Sequence, residues 1–149
     1  VTTLAREAMP LLRYRTRDIC MLTREKCSCG RTHVKMCKPM GRSDDMLIIR
    51  GVNVFPSQIE ELILKQAKLS PHYLIEVSRD GHLDSLKVKI EMKAEHQFAT
   101  AAEKEYAAHE LQHHIKSYIG ISARIEVVEA GGIERSVGKA RRVVDQRPK

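Results

Sequence analysis

The chain has 149 residues, enough for one domain or for one domain with part of another. Its composition, 42% hydrophobic and 30% charged with 8 glycines and 5 prolines, excludes collagen-like, mucin-like and broadly disordered proteins. No apolar run reaches the roughly 20 residues of a membrane-spanning helix, and the first residues lack the pattern of a secretory signal. We therefore expect a cytoplasmic protein with no membrane partner.

The net charge of +7 is concentrated at the two ends of the sequence. Residues 1–50 contain eleven basic and five acidic side chains, and residues 139–149 contain five basic side chains and one acidic. Basic ends suit phosphate-bearing partners. Because only six residues are aromatic and none is Trp, a surface that stacks nucleic-acid bases is not expected. The charge pattern therefore favours a nucleotide or a phosphorylated cofactor over nucleic acid.

The first predicted elements are a strand and a long loop. The apolar and basic run at residues 11–15 predicts a strand cut from a larger sheet. Residues 20–40 show no sustained hydrophobic period and contain Gly30 and Pro39, which predicts a loop. Long loops in compact proteins usually serve a function.

A hairpin and a helix are predicted next. Two short apolar runs, residues 46–49 and 52–55, are separated by two residues and predict a tight hairpin. Ser57 and Glu60 match a capping box, in which each residue satisfies a backbone N–H of the other, and predict a helix over residues 57–68.

The following segments predict two strands, a second helix and a last strand. Polar and apolar residues alternate on both sides of Asp80 and Gly81, which predicts an antiparallel pair with one solvent-exposed face. Thr100 and Glu103 form a second capping box before a helix that Gly120 ends. The apolar face of this helix is predicted to comprise Ala107, Leu111, Ile115 and Tyr118.

The order strand, helix, strand, strand, helix, strand over residues 52–130 predicts an α+β fold. We expect a small two-layer domain in which both helices cover one face of an antiparallel sheet. A short strand-and-loop remnant of a larger domain is expected to precede it.

Three separated blocks share an order and spacing with a known superfamily. They are YRTRD at residues 14–18, GRSDDMLIIRGVNVFPSQIE at residues 41–60 and ERSVGKA at residues 134–140. These blocks resemble the C-terminal motifs of the AMP-forming acyl-CoA synthetase superfamily. The middle block, together with LSPHY at residues 69–73, is similar to the phenylacetate-CoA ligase family in particular.

The resemblance implies a division of the chain and a nucleotide site. Residues 1–43 would end the large adenylate-forming domain, and residues 44–149 would form the mobile C-terminal lid. Asp18 matches the carboxylate that holds the ribose hydroxyls of ATP, and Arg42 matches an arginine that approaches the nucleotide. The superfamily usually has Gly where Arg17 stands.

The resemblance also implies three residues for the two half-reactions. Asp44 matches the hinge about which the lid rotates between adenylation and thioester formation. Gly51 matches a glycine that lets the pantetheine arm of CoA pass close to the backbone. Lys139 matches the lysine that bridges the substrate carboxylate and the α-phosphate during adenylation.

The activity implied is the conversion of phenylacetate, CoA and ATP, with Mg²⁺, to phenylacetyl-CoA, AMP and diphosphate through an acyl-adenylate. The family places its phosphate loop and acyl pocket in the large domain upstream of these motifs, so a related enzyme for another aryl acid is an alternative. A non-catalytic lid or interaction module is a second alternative. The oligomeric state is left open.

The long loop contains a cluster of soft metal ligands. Cys20, Cys27, Cys29 and His33 are candidate ligands of a structural Zn²⁺, with Cys37 nearby. Their spacing is not that of a standard zinc finger pair, so unpaired thiols are the alternative. The resemblance implies that related proteins can hold a metal in this loop.

Overall fold

The computed structural model describes residues 1–96, 98–135 and 142–148. The chain divides into two compact units, an N-terminal unit, Val1–Asp45, and a C-terminal unit, Met46–Lys149. The cluster of buried hydrophobic side chains lies entirely in the C-terminal unit. No residue of the N-terminal unit is fully buried, so backbone hydrogen bonds contribute more to its order than a packed core does.

The N-terminal unit contains two short antiparallel pairs. Strand β1 (Asp18–Ile19) pairs with β4 (Gly41–Arg42), and β2 (Leu22–Thr23) pairs with β3 (Lys35–Met36). One pair is therefore nested inside the other along the chain. The stretch predicted to be a loop contains β2 and β3, which are too short to produce a periodic pattern in the sequence.

The predicted strand at residues 11–15 is wrong. The backbone N–H of Thr3 donates to the carbonyl of Leu11 at 3.0 Å, and that of Tyr14 donates to the carbonyl of Val1 at 2.8 Å. The segment thus folds back on the first residues without forming a ladder. Arg13 has a φ of +50°, which interrupts extended backbone.

The predicted hairpin is present at the start of the C-terminal unit. Strands β5 (Leu47–Ile49) and β6 (Val52–Val54) pair in an antiparallel register. They form a sheet of their own, so β6 is not the first strand of the larger sheet.

A four-stranded sheet forms the centre of the C-terminal unit. Its strands are β7 (Leu69–Asp80), β8 (Leu83–Met92), β9 (Arg124–Val128) and β10 (Val143–Asp145), in the order β10-β7-β8-β9. The central pair is antiparallel as predicted, but β9 is parallel to β8 and β10 is parallel to β7. The sheet is therefore mixed and not purely antiparallel, because the outer strands follow connections long enough for parallel pairing.

Both predicted helices are present, but the predicted ends are correct for only one of them. Helix α2 (Ala101–Ile119) has the Thr100 and Glu103 capping box and ends at Gly120, whose φ is +87°. Helix α1 (Pro56–Leu64) begins and ends earlier than predicted. Pro56 explains the early start, because proline at the first helical position loses no hydrogen bond and already has a helical φ.

The N-terminus of α1 is not capped by the predicted box. Phe55 is the N-cap residue, and its backbone N–H donates to Oε1 of Gln58 at 3.1 Å. The predicted Ser57–Glu60 capping box is therefore wrong, because the N-cap residue lies two positions before Ser57. Within the described ranges, no helix combines the length and the apolar character needed to cross a membrane.

Both helices and the sheet share one core, which confirms the two-layer α+β fold. The buried helical residues are Ile59, Leu62, Ile63, Ala107, Leu111 and Ile115, and the sheet contributes Ile75, Val77, Val88 and Ile90. Burial of such side chains is the main source of folding free energy. The placement of Tyr118 on the apolar face is wrong, since this residue is 73% exposed.

Candidate functional site

The two residues predicted to bind nucleotide are neighbours on one ladder. Asp18 and Arg42 are opposite each other in the antiparallel β1–β4 pair, although 24 positions separate them in the sequence. Residues opposite each other in such a pair have Cβ atoms about 5 Å apart. The negative charge of Asp18 contributes to raising the pKa of Arg42, after the larger effect of Asp44. The ladder therefore brings one carboxylate and one guanidinium together at an exposed edge.

The predicted hinge residue is bonded to the same arginine. Nε of Arg42 donates to Oδ1 of Asp44 at 2.9 Å, and Nη2 donates to Oδ2 at 2.7 Å. This bidentate pair lowers the pKa of Asp44 below its usual range and raises the pKa of Arg42. The Asp44 carboxylate occupies the Nε–Nη2 edge of the guanidinium, an edge through which an arginine can bind phosphate or carboxylate oxygens with two hydrogen bonds. Contact between Arg42 and a ligand through this edge requires Asp44 to move away.

Backbone hydrogen bonds hold the segment around Asp44 against β1. The N–H of Ser43 donates to the carbonyl of Arg17 at 2.8 Å, and the N–H of Asp45 donates to the carbonyl of Arg42 at 3.2 Å. Arg17 has a φ of +64°, in the left-handed region. The predicted nucleotide residues and the predicted hinge thus belong to one connected turn.

Gly51 lies in the two-residue turn between β5 and β6. Arg50 and Gly51 have φ values of +50° and +78°, the combination of a type I′ turn. A Cβ atom at Gly51 would meet no other heavy atom within 4 Å. The backbone conformation, and not crowding, is therefore the reason for glycine in this structure, and the space beside it is open to a ligand.

A cavity of about 410 Å³ lies beside this turn. Arg50, His109 and Arg124 line it together with Glu105. Two guanidinium groups, one imidazole and one carboxylate therefore give this cavity mixed polarity, with more basic than acidic side chains.

An arginine network that the sequence did not predict holds the hairpin in place. Nε of Arg50 donates to the carbonyl of Asp84 at 2.7 Å, and Arg147 donates to the carbonyl of Ile48 at 2.8 Å. Arg147 also donates to Oδ2 of Asp84 at 3.0 Å. Hydrogen bonds from Arg79 and then Arg147 lower the pKa of Asp84.

Lys139, the predicted catalytic residue, lies outside the described residues. Two residues shortly before Lys139 in the sequence are held by Glu91. The N–H of Ile133 donates to the Glu91 carboxylate at 2.9 Å, and Nη2 of Arg135 donates to it at 2.8 Å. Burial raises the pKa of Glu91, but the hydrogen bonds from Arg135, Ile133 and the backbone of Gly131 outweigh burial and leave this pKa below its usual value.

Arg142, the first described residue after Lys139, is also held by side-chain and backbone contacts. Arg142 forms an ion pair with Glu60, donates to the hydroxyl of Tyr73 at 3.2 Å and lies 4.9 Å from the centre of the Tyr73 ring. The carbonyl of Arg142 accepts a hydrogen bond from the N–H of Ile75 at 2.8 Å. The positions of Arg135 and Arg142 are therefore set by α1, β7 and β8.

The predicted zinc ligands do not form a metal site in the described part of the chain. All four cysteines are free thiols, and Sγ of Cys29 donates to Sγ of Cys27 at 3.2 Å. Among the described residues, no group of three or more His, Cys, Asp or Glu side chains could hold a metal ion. Structural zinc requires four ligands around one ion. Cys20, Cys27, Cys29 and His33 do not fit such a site, because the structure does not bring even three of these described side chains together in a metal-binding group.

Comparison with known proteins agrees with the motifs. Residues 51–147 match the family model described as the AMP-binding enzyme C-terminal domain. The chain is 57% identical to phenylacetate-coenzyme A ligase of Aromatoleum evansii, over 99% of this chain and 33% of that protein. It is 55% identical to phenylacetate-coenzyme A ligase of Escherichia coli strain K12, over 98% of this chain and 33% of that protein. The chain thus spans about a third of the length of these curated relatives.

A solved structure shares the fold. The crystal structure of 2-hydroxyisobutyryl-CoA ligase in the postadenylation state, in complex with R3-HIB-AMP, aligns with a TM-score of 0.81 and 31% identity. The alignment covers 92% of this chain and 29% of that ligase.

Proposed function

We propose that this chain, which belongs to the AMP-binding enzyme C-terminal domain family, is the C-terminal part of an ATP-dependent, AMP-forming acid–thiol ligase. The full-length enzyme would join phenylacetate to CoA through an acyl-adenylate and release AMP and diphosphate. ATP would enter as its Mg²⁺ complex. The observation that carries the proposal is the pairing of Asp18 with Arg42 on the β1–β4 ladder, in a chain 57% identical to a phenylacetate-coenzyme A ligase.

Asp18 is proposed to bind the ribose of the nucleotide. An ionised carboxylate accepts hydrogen bonds from both ribose hydroxyls at charge-assisted strength. Arg42, on the opposite strand, would approach the nucleotide once Asp44 leaves its guanidinium. The bidentate Arg42–Asp44 pair therefore links nucleotide contact to the residue proposed as the hinge.

Lys139 is proposed to supply positive charge in the adenylation step. The carboxylate oxygen of phenylacetate attacks the α-phosphorus, the bond to the diphosphate oxygen breaks, and diphosphate leaves. A lysine between the carboxylate and the α-phosphate stabilises the charge that develops on the transferring group.

Gly51 is proposed to lie against the pantetheine arm of CoA in the second half-reaction. The open space beside this glycine and the basic side chains Arg50, His109 and Arg124 of the adjacent cavity support the proposal. The thiol of CoA then attacks the carbonyl of the acyl-adenylate and AMP leaves. Because ATP and CoA are cytoplasmic substrates and the four cysteines are free thiols, the cytoplasm is the proposed compartment.

Nucleotide titration of the full-length enzyme and an exchange assay test the proposal together. Phenylacetate should stimulate exchange of labelled diphosphate into ATP, and AMP should bind. Asp18→Ala should weaken AMP binding by about 10- to 100-fold, the effect of losing hydrogen bonds to a charged group. The control ligand is 2′-deoxy-AMP, which lacks one of the two ribose hydroxyls. The wild type should bind 2′-deoxy-AMP more weakly than AMP, whereas Asp18→Ala should bind the two nucleotides with equal affinity.

Two outcomes would contradict the proposal. If the protein does not bind AMP, it is a non-catalytic module. Exchange that responds to another aryl acid but not to phenylacetate would assign the enzyme to a different substrate.

A further inference from the structure

Two cysteine side chains meet at the turn between β2 and β3. Cys27 and Cys29 are two positions apart, and their sulfur atoms are 3.2 Å from each other. The N–H of Gly30 donates to the carbonyl of Cys27 at 2.9 Å, and the N–H of Cys27 donates to the carbonyl of Arg31 at 3.3 Å. These bonds close the turn around the two thiols and keep them adjacent.

Both thiols are accessible and reduced. Cys29 is exposed, Cys27 is partly exposed, and neither is in a disulfide. Accessible cysteines with a second thiol poised to resolve a first adduct are the ones that react with disulfides.

We propose that Cys27 and Cys29 form a vicinal dithiol that exchanges with low-molecular-weight disulfides such as oxidised glutathione. An S–S bond is about 2.04 Å long, so the two sulfur atoms must approach by about 1.2 Å from their present separation. A movement of this size lies within the rotation of the two cysteine side chains. The proposal is independent of the ligase activity and concerns a different set of side chains.

The exchange balances in two steps. The Cys27 thiolate attacks one sulfur of the small disulfide, an S–S bond to Cys27 forms, and the first thiolate leaves. The Cys29 thiolate then attacks the Cys27 sulfur, the bond between Cys27 and the small molecule breaks, and the second thiolate leaves. The protons of the two cysteines pass to the two departing thiolates, so the small disulfide is reduced to two thiols as the dithiol is oxidised.

The other two cysteines supply an internal comparison. Cys20 and Cys37 are partly buried free thiols. In the described part of the chain, the sulfur–sulfur hydrogen bond joins Cys27 and Cys29 and neither of the others. Cys20 and Cys37 lack an adjacent resolving thiol, so a small disulfide should react with them more slowly and leave a mixed disulfide.

Mass spectrometry of the purified protein after incubation with oxidised glutathione tests the proposal. Trypsin cleaves after Lys26 and Arg31, so both cysteines of the dithiol stay on peptide 27–31, apart from Cys20 and Cys37. This peptide should lose the mass of two hydrogen atoms and carry no glutathione. Cys29→Ser should instead retain glutathione on Cys27, and a Cys20→Ser, Cys37→Ser double variant should behave like the wild type.

Three results would overturn the proposal. One is a lasting glutathione adduct on the wild-type peptide 27–31. Another is modification of Cys20 and Cys37 as fast as that of the dithiol. The third is Zn²⁺ retained at one ion per chain with both thiols protected until a chelator is added, which would make the cysteines metal ligands.

Discussion

The backbone of Arg17 has a φ of +64°, an angle that glycine adopts without steric cost and other residues adopt at a penalty. The superfamily that the motifs resemble usually has Gly at this position. The carbonyl of Arg17 accepts the N–H of Ser43, which ties the turn before β1 to the segment before Asp44. The left-handed angle therefore occurs where the chain makes this connection, and glycine is the residue that adopts it without steric cost.

Replacement of Arg17 by glycine should relieve this penalty. We expect Arg17→Gly to unfold with a free energy about 1 kcal/mol higher than Arg17→Ala, because both lose the arginine side chain but only alanine keeps the steric cost of the left-handed angle. Denaturant unfolding of the two variants measures the difference. Equal stability, or a more stable alanine variant, would show that the angle is not held in solution.

Several elements could be predicted because their signals are local. The ends of α2 follow from Thr100, Glu103 and Gly120, which act on backbone groups within one turn. Strand β10 could not be predicted in the same way, because three residues show no period and their partner strand begins 74 positions earlier at Leu69. The pairing of Asp18 with Arg42 is also non-local, and its residues were identified through the motifs alone.

Glu91 shows where an element-level prediction failed. The alternation of polar and apolar residues after Gly81 predicts that Glu91, a polar position, lies on the solvent-exposed face, yet this residue is 1% exposed. The chain near Ile133 and Arg135 covers this side chain and donates hydrogen bonds to it. Strand periodicity records which residues share a face, but not whether a later loop covers that face.

Removal of the charge at Glu91 should destabilise the C-terminal unit. Because Arg135 is half exposed, we expect Glu91→Gln to lower the free energy of unfolding at pH 7 by about 2 kcal/mol, less than for a fully buried pair. The folded-state pKa of Glu91 is lowered, so its stabilising effect is present above the ordinary value of about 4.3 and is lost as the pH falls through the folded-state pKa.

Urea unfolding at pH 7 and at pH 3 separates this charge effect from a packing effect. The difference between wild type and Glu91→Gln should shrink at the lower pH. Arg135→Gln should reproduce part of the loss at pH 7. A difference that stays constant with pH would assign the loss to packing and contradict the role of the charge.

At the scale of the whole molecule, the chain spans about a third of its curated relatives. The proposed activity therefore depends on residues that the family places in the large domain. The described residues fix Arg135 and Arg142, the neighbours of the segment that contains Lys139. Effects of Lys139 itself belong to the full-length enzyme, where both half-reactions can be measured.

Lys139→Ala in the full-length enzyme should slow adenylation by about 100-fold or more, the scale of losing one electrostatic contact to a transition state. Transfer of a preformed acyl-adenylate to CoA should change much less, because the contacts proposed for this lysine belong to the adenylation step. Diphosphate exchange measures the first step and thioester formation from added acyl-adenylate measures the second. Lys149→Ala removes the same charge from the same basic tail and should leave both rates near wild type.

Asp44→Pro should impair one half-reaction more than the other. Proline fixes φ near −65°, whereas the hinge proposed at Asp44 needs more than one backbone angle. Asp44→Ala is the matched control, because it also removes the carboxylate from Arg42 but keeps the backbone free. Asp45→Ala should leave both steps mostly intact.

The comparison of Asp44→Pro with Asp44→Ala decides the role of this position. If the two variants lose diphosphate exchange and thioester formation to the same extent, the enzyme needs the carboxylate of Asp44 and not backbone rotation.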